Sequence, residues 1–193
     1  MSVENIDNQM ADWGHTKDVP PRQKLVWSVL TEKWSRFAGE IPELSLDIGA
    51  AHKKGRSVSI DPFPRGEVDL RAVAENLPFT DETFASVVME SVIKHVTSPE
   101  KSLGEIYRVT KDSGLLFLTS PLNYEDRHRH SFSYSEIRKL IQDAGFSIDK
   151  SVGYGLSHNF LNRMLTRFLA KYYTRLRIPK RFCRVLFVVA RKV

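Results

Sequence analysis

The sequence predicts an α/β fold: a mostly parallel sheet with helices on both faces. Three observations carry that prediction. Short apolar segments alternate with helix-period segments along the chain. Several of the apolar segments are hydrophobic on both sides, as strands covered on two faces must be. The size and composition, 193 residues with 41% hydrophobic and 27% charged, suit one globular domain with a substantial core.

The elements follow in order. Residues 1–19 lack periodicity and read as an N-terminal arm. Pro20-Pro21 opens a helix, because proline is tolerated in a first turn. Leu25, Val26, Val29, Leu30, Trp34 and Phe37 recur at helical spacing, and Gly39 with Pro42 end the helix. Leu44–Ile48 reads as a strand stopping at Gly49, Val58–Ile60 as one stopping at Asp61, and Phe84–Met89 as a third. Pro99–Thr110 is helical, with Leu103, Ile106 and Val109 on one face, and Leu115–Thr119 is a strand ended by Pro121. Ser133 caps a helix to Ala144, Glu136 completes a capping box, and Gly145 is the stop. Phe146–Ile148 begins a strand, Asn159–Leu176 is helical, and Val185–Arg191 is a final strand. The organisation expected is a single domain over 1–193. It comprises the arm (1–19), a first helix placed as a lid (20–39), a core (43–153), a basic helical insertion (154–181) and the final strand (182–193).

Composition excludes several classes. No apolar run approaches the ~20 residues that cross a bilayer, and the polar, acidic N-terminus is not a secretory signal. A single cysteine, Cys183, rules out a disulfide framework and a multi-cysteine zinc site. An intracellular, reducing setting is expected, and no metal centre. The net charge of +6 is uneven: residues 151–193 hold ten basic and no acidic residues, and residues 1–150 sum to −4. Such asymmetry predicts an anionic partner for the C-terminal part. Arg163, Arg167, Lys171 and Arg175 form a stripe spaced by four beside an apolar face that includes Phe160, Met164, Phe168 and Tyr172. That is the pattern of an interfacial helix, so residues 157–184 are expected to contact an anionic membrane surface or a lipid-like acceptor. A helix packed on the sheet with a solvated basic back is the plainer alternative. Nucleic acid fits less well, because few aromatics sit among the basic residues.

In an open α/β sheet, ligands lie beyond the carboxyl ends of the strands. The first strand ends Asp47-Ile48-Gly49-Ala50-Ala51 and the second Ile60-Asp61-Pro62. A small residue at such a turn lets a ligand approach the backbone. An acid at the end of the next strand can accept both hydroxyls of a ribose. Then come Ala74-Glu75-Asn76-Leu77-Pro78-Phe79, Asp81-Glu82-Thr83-Phe84, Val92-Ile93-Lys94-His95-Val96, Lys111-Asp112-Ser113-Gly114-Leu115 and Asp143-Ala144-Gly145-Phe146. This ordered set resembles the class I S-adenosylmethionine-dependent methyltransferases, in their small-molecule branch. The resemblance runs from Leu44 to Gly153 and returns at Val185–Lys192.

The resemblance implies a Rossmann-like methyltransferase sheet whose last strand is antiparallel, and S-adenosylmethionine as cofactor. It places Asp47, Gly49 and Ala51 in the loop beside the methionine part of the cofactor, and Asp61 on the ribose hydroxyls. Pro62 and the pair Val73-Ala74 fall near the adenine, and Glu90, with Ser91, in the methyl-transfer cleft. Arg127-His128-Arg129-His130 resembles a histidine-containing stretch on the acceptor side. His128 and His130 are therefore the candidate catalytic acid or base, against a plainer reading as a solvated loop capping the next helix. The expected function is methyl transfer to an unidentified small-molecule, glycan or lipid-linked acceptor, in the cytoplasm or at the membrane periphery.

Four departures keep an alternative open, one being that Ala85 and Lys94 stand where the family often has acidic residues. Ala51 stands where the family has a second loop glycine. Residues 49–56 are short for a parallel crossover, so the helix usual there must be truncated or absent. Val73 replaces an Asp that commonly bonds the adenine amine, with Asp69 four residues earlier as a substitute. The alternative is a catalytically decayed, methyltransferase-like binding or scaffold protein.

Overall fold

Six strands form one sheet in the order β2-β1-β3-β4-β6-β5. The computed structural model describes residues 36–42, 44–50, 58–123, 129–156 and 183–193. Within them lie β1 (Ser45–Ile48), β2 (Val58–Ile60), β3 (Phe84–Glu90), α1 (Pro99–Val109), β4 (Thr110–Pro121), α2 (Tyr134–Asp143), β5 (Phe146–Leu156) and β6 (Cys183–Lys192). The arm, nearly all of the first helix with its lid role, Ala51, His128 and most of the basic insertion lie outside the described residues.

The pairing follows the expected pattern. β1 runs parallel to β2 and β3, and β3 parallel to β4. β6 is antiparallel to both β4 and β5. Side chains alternate across the sheet with the period of two that strands impose. Val87, Met89, Leu116, Leu118, Leu186 and Val188 join Leu103 and Ile106 of α1 and Ile137 and Ile141 of α2 in one core. Val88, Phe117, Phe187 and Val189 point the other way and pack with Ala38. Burying each such side chain contributes roughly 1.5–3 kcal/mol, so these two faces are the main source of stability.

Strand ends differ most from the sequence reading in β4 and β5. β4 begins at Thr110, five residues before the expected Leu115. The helix runs straight into it: Thr110 is already extended (φ −79, ψ 133), and its hydroxyl donates to the Ile106 carbonyl at 2.6 Å. β5 continues to Leu156 because β6 pairs with it along nearly its whole length. The capping box expected at α2 is present, with Ser133 and Glu136 bonding reciprocally, and at α1 Ser98 accepts from Lys101 N.

The loop between β2 and β3 is tied to α1 by charge-assisted bonds. Arg108 donates to both Glu105 oxygens (2.8 and 2.9 Å), to the Phe79 and Leu77 carbonyls (2.7 and 3.0 Å) and to Asp81 (2.8 Å). Glu105 also accepts from Leu77 N at 2.8 Å. The Arg108 bond, helped by the Leu77 amide, holds the Glu105 carboxyl below the usual glutamate range. Replacing Arg108 by Met is expected to cost about 1–3 kcal/mol of unfolding free energy at pH 7, measured by urea denaturation. Because the folded-state pKa of Glu105 is depressed, its contribution is complete above the unfolded value of about 4.3 and is lost as pH falls through the folded value. The stability gap between wild type and Glu105→Gln should therefore shrink from pH 7 to pH 3; a constant gap would contradict the assignment.

Candidate active site

The register sets the parallel strands' carboxyl ends in a row. Ile48 lies opposite both Ile60 and Met89, Met89 opposite Leu118, and Glu90 opposite Thr119. Gly49, Asp61, Glu90 and Ser120 therefore sit at neighbouring strand ends, which is where the fold binds ligands.

The β1 loop is fixed by backbone bonds. Gly49 N and Ala50 N both donate to the Ile60 carbonyl, at 2.8 and 3.1 Å. That clamp turns the loop toward β2 and sets it beside Asp61. Gly49 has φ +72, in the left-handed region that side chains disfavour. A Cβ there would meet Cγ2 of Val92 at 2.3 Å, so both conformation and space require glycine. Asp47 is buried at 6% exposure, directly before the turn. Asp61 Oδ1 accepts from Phe63 N at 2.7 Å, an Asx turn that orients the carboxylate. Pro62 is half-buried next to it, and Phe63 is 87% exposed.

The adenine-side candidates divide. Ala74 is buried and Val73 exposed. Asp69 is engaged with the sheet edge: its Oδ2 accepts from Ser59 N at 2.9 Å and Ser59 Oγ at 2.8 Å. Asp69 N and Leu70 N both donate to Ser59 O, and Leu70 bridges Ile60 in parallel. The aspartate weighed as a substitute adenine ligand thus extends the sheet beyond β2 and covers an otherwise open edge.

Beyond β3 the chain turns through Ser91–Val96. Ser91 has φ +58, uncommon for a non-glycine residue, and is anchored by Thr119: its amide donates to the Thr119 carbonyl and to Oγ1, each at 3.0 Å. Glu90 is half-buried at the strand end. His95, exposed, closes a turn onto the Val92 carbonyl at 2.8 Å. The segment 129–132 straps this turn. His130 N donates to Lys94 O at 3.1 Å, the His130 ring Nε2 meets Val96 O at 3.0 Å, and Arg129 donates to Thr97 Oγ1 at 2.8 Å. The half-buried imidazole stacks on Phe132 at 5.6 Å. Sequence reasoning did not single out Thr119 or Val92 as builders of the site. Val92 entered only within the segment Val92–Val96 and Thr119 only as a strand residue, and their roles come from neighbours 43 and 28 residues away. Gly49→Ala is expected to lower the melting temperature and weaken nucleoside binding. Adding Val92→Ala should recover part of the loss, by removing the clash but not the strained φ; melting curves of both variants measure this.

Residues 45–118 match the family profile described as a methyltransferase domain. The chain is 38% identical over 92 residues to the ubiquinone/menaquinone biosynthesis C-methyltransferase UbiE of Escherichia fergusonii. That match covers 46% of this chain and 37% of that enzyme. It is 37% identical over 119 residues to UbiE of Psychromonas ingrahamii, covering 58% of this chain and 47% of that enzyme. The match thus spans less than half the length of these relatives. Among solved structures, a Thermotoga maritima protein described as an S-adenosylmethionine-dependent methyltransferase and possible histamine N-methyltransferase superposes with a TM-score of 0.64. It is 20% identical, with 98% of both chains covered. The cyclase SpnF superposes with a TM-score of 0.55 at 14% identity, over 84% of this chain and 80% of its own. The comparisons lend the decayed-scaffold alternative no support. The chain thus matches a methyltransferase domain over residues 45–118, and its sheet has the fold of solved proteins described as S-adenosylmethionine-dependent methyltransferases.

Proposed function

We propose that this chain binds S-adenosylmethionine over the ends of β1 and β2 and transfers its methyl group to a small-molecule acceptor held over the ends of β3 and β4. The observation that carries this reading is the double donation of Gly49 N and Ala50 N to Ile60 O, which brings the glycine turn and Asp61 together. The residues present fit the cofactor. Asp61 stands at the end of β2, its carboxylate oriented by the Phe63 amide, and is the group that would accept the ribose hydroxyls. Asp47 and Gly49 border the methionine end, Pro62, Val73 and Ala74 the adenine.

When bound, the cofactor supplies an electrophilic methyl group on a sulfonium. The protein's work is placement: holding the acceptor in line is worth about 7–11 kcal/mol of the barrier. Glu90 and Ser91 bound the cleft at the end of β3. Where the acceptor must lose a proton, His130 is the candidate base. A carbonyl can only accept, so Nε2 of the neutral ring carries its hydrogen toward Val96 O and leaves Nδ1 as the basic atom. That bond also fixes the ring's orientation. His128 lies outside the described residues, and its role stays with the resemblance.

A second reading, a lipid-linked acceptor at an anionic membrane, draws on the basic stripe Arg163, Arg167 and Lys171 and on similarity to enzymes named for ubiquinone and menaquinone biosynthesis. No helix among the described residues is long and apolar enough to cross a membrane. Sedimentation should then show binding to anionic but not neutral liposomes, abolished by charge reversal at those three positions.

Asp61→Ala is expected to weaken S-adenosylhomocysteine binding at least tenfold in calorimetric titration, with the melting curve unchanged, because each bond to a charged group is worth about 1.5–3 kcal/mol. Undiminished affinity would remove Asp61 from the site. His130→Ala is expected to lower methyl-transfer turnover about 100-fold while S-adenosylhomocysteine affinity stays within a factor of two or so. An equal loss of both would instead mark His130 as a purely structural strap.

A further inference from the structure

Two lysines are buried among the described residues, and they are treated very differently. Lys192, 8% exposed, donates to Thr110 O at 2.9 Å, lies 3.5 Å from Glu82 and 3.8 Å from Asp112, and stands over the Tyr107 ring at 4.6 Å. Its charge is compensated on every side. Lys94, 7% exposed, has no hydrogen-bond acceptor, carboxylate or ring partner among the described residues. Burial without a compensating charge pushes its ammonium down to about 8, so the group remains mostly protonated at neutral pH.

Its place in the fold gives that isolation a meaning. Lys94 sits four residues past Glu90, in the turn that follows the central strand at the ligand-binding edge of the sheet. The backbone there is clamped on three sides. Val92 packs against Gly49 of the cofactor loop, Ile93 is fully buried, and Lys94 O accepts from His130 N at 3.1 Å. With only 7% of the residue exposed, the ammonium is stripped of most of its water, and an anion reaching it from the cleft would meet a charge that little solvent screens. We propose that Lys94 is an anion-binding residue of this cleft, whose partner is an oxyanion, a carboxylate or phenolate, of a bound molecule. The inference rests on the reading of this edge as the methyl-transfer site. Two sources offer that chemistry: the amino-acid carboxylate of the cofactor and an acidic group on the acceptor.

The test is calorimetric titration of the full chain as wild type, Lys94→Met and Lys94→Gln. The probes are S-adenosylhomocysteine, 5′-methylthioadenosine, which keeps the nucleoside but lacks the amino-acid carboxylate, and benzoate added to apo and to S-adenosylhomocysteine-saturated protein. A tenfold or greater loss of S-adenosylhomocysteine affinity in both variants, with 5′-methylthioadenosine unchanged, supports the proposal and assigns the anion to the cofactor. Unchanged S-adenosylhomocysteine affinity with a tenfold loss of benzoate binding supports it and assigns the anion to the acceptor. No difference between wild type and variants with either carboxylate overturns it. Lys94→Met is expected to melt no lower than wild type, since it removes a largely desolvated charge that has no partner among the described residues. A clear drop in its melting temperature would mean that the ammonium already has a structural partner, and would overturn the proposal as well. If wild type fails to bind S-adenosylhomocysteine at all, the methyltransferase reading falls, while benzoate binding to the apo protein still reports on Lys94 alone.

Discussion

The contact between Val92 and the backbone of Gly49 is the constraint on which the ligand-binding edge depends. The valine methyl occupies the space where a side chain at position 49 would begin. The β1 loop must therefore bend away, and it does so by placing two amides on Ile60 O. In the other direction, the turn carrying Val92 must leave β3 sharply. Ser91 absorbs that change of direction in a left-handed conformation, at a cost of order 1–3 kcal/mol, and its amide is held by Thr119 of the neighbouring strand. The 129–132 strap then bonds to the same turn. The β1 loop, central-strand turn and strap are thus one mechanical unit.

The polar joints of the molecule are divided by kind. Between α1 and the 77–81 loop, and where β6 meets the start of β4, the chain is fastened by charged side chains: Arg108 to Glu105 and Asp81, Lys192 to Thr110 O with Glu82 and Asp112 nearby. Tyr107 completes the second joint, donating to Val193 O at 2.8 Å while its ring lies against Gly145. The ligand-binding edge is fastened mainly by backbone amides and carbonyls, which hold geometry without committing charges that a substrate would have to displace. Stability resides in the sheet and its two apolar faces, and the site is built on their rim.

This arrangement also explains why shape alone leaves the reaction open. A cyclase and methyltransferases share the sheet that this chain adopts, because strand ends in this order form a nucleoside-sized crevice whatever chemistry follows. What differs between such proteins must lie in the residues past β3 and β4. Here those are Glu90, Ser91, Lys94 and His130, a set with a carboxylate, a hydroxyl, a buried cation and an oriented imidazole.

Much of the fold was legible in local sequence. The short apolar segments at Val87–Met89 and Leu115–Thr119, the cap at Ser133 and the stop at Gly145 are short-range signals, and each produced the element it announced. Gly49 and Asp61 were legible as candidate site residues because strand ends are where such folds bind. Three things were decided only by the tertiary structure. Asp69 serves the sheet edge, because Ser59 and the β2 edge offer it unpaired donors that sequence spacing does not display. β4 and β5 extend past their apolar segments, because β6 inserts between them and pairs with both. Lys94 reads in sequence only as a departure from an often acidic position and becomes buried, because strap and β1 loop meet its turn from distant parts of the chain. Periodicity and capping are written within a few residues of each other; burial and pairing depend on which distant segments meet.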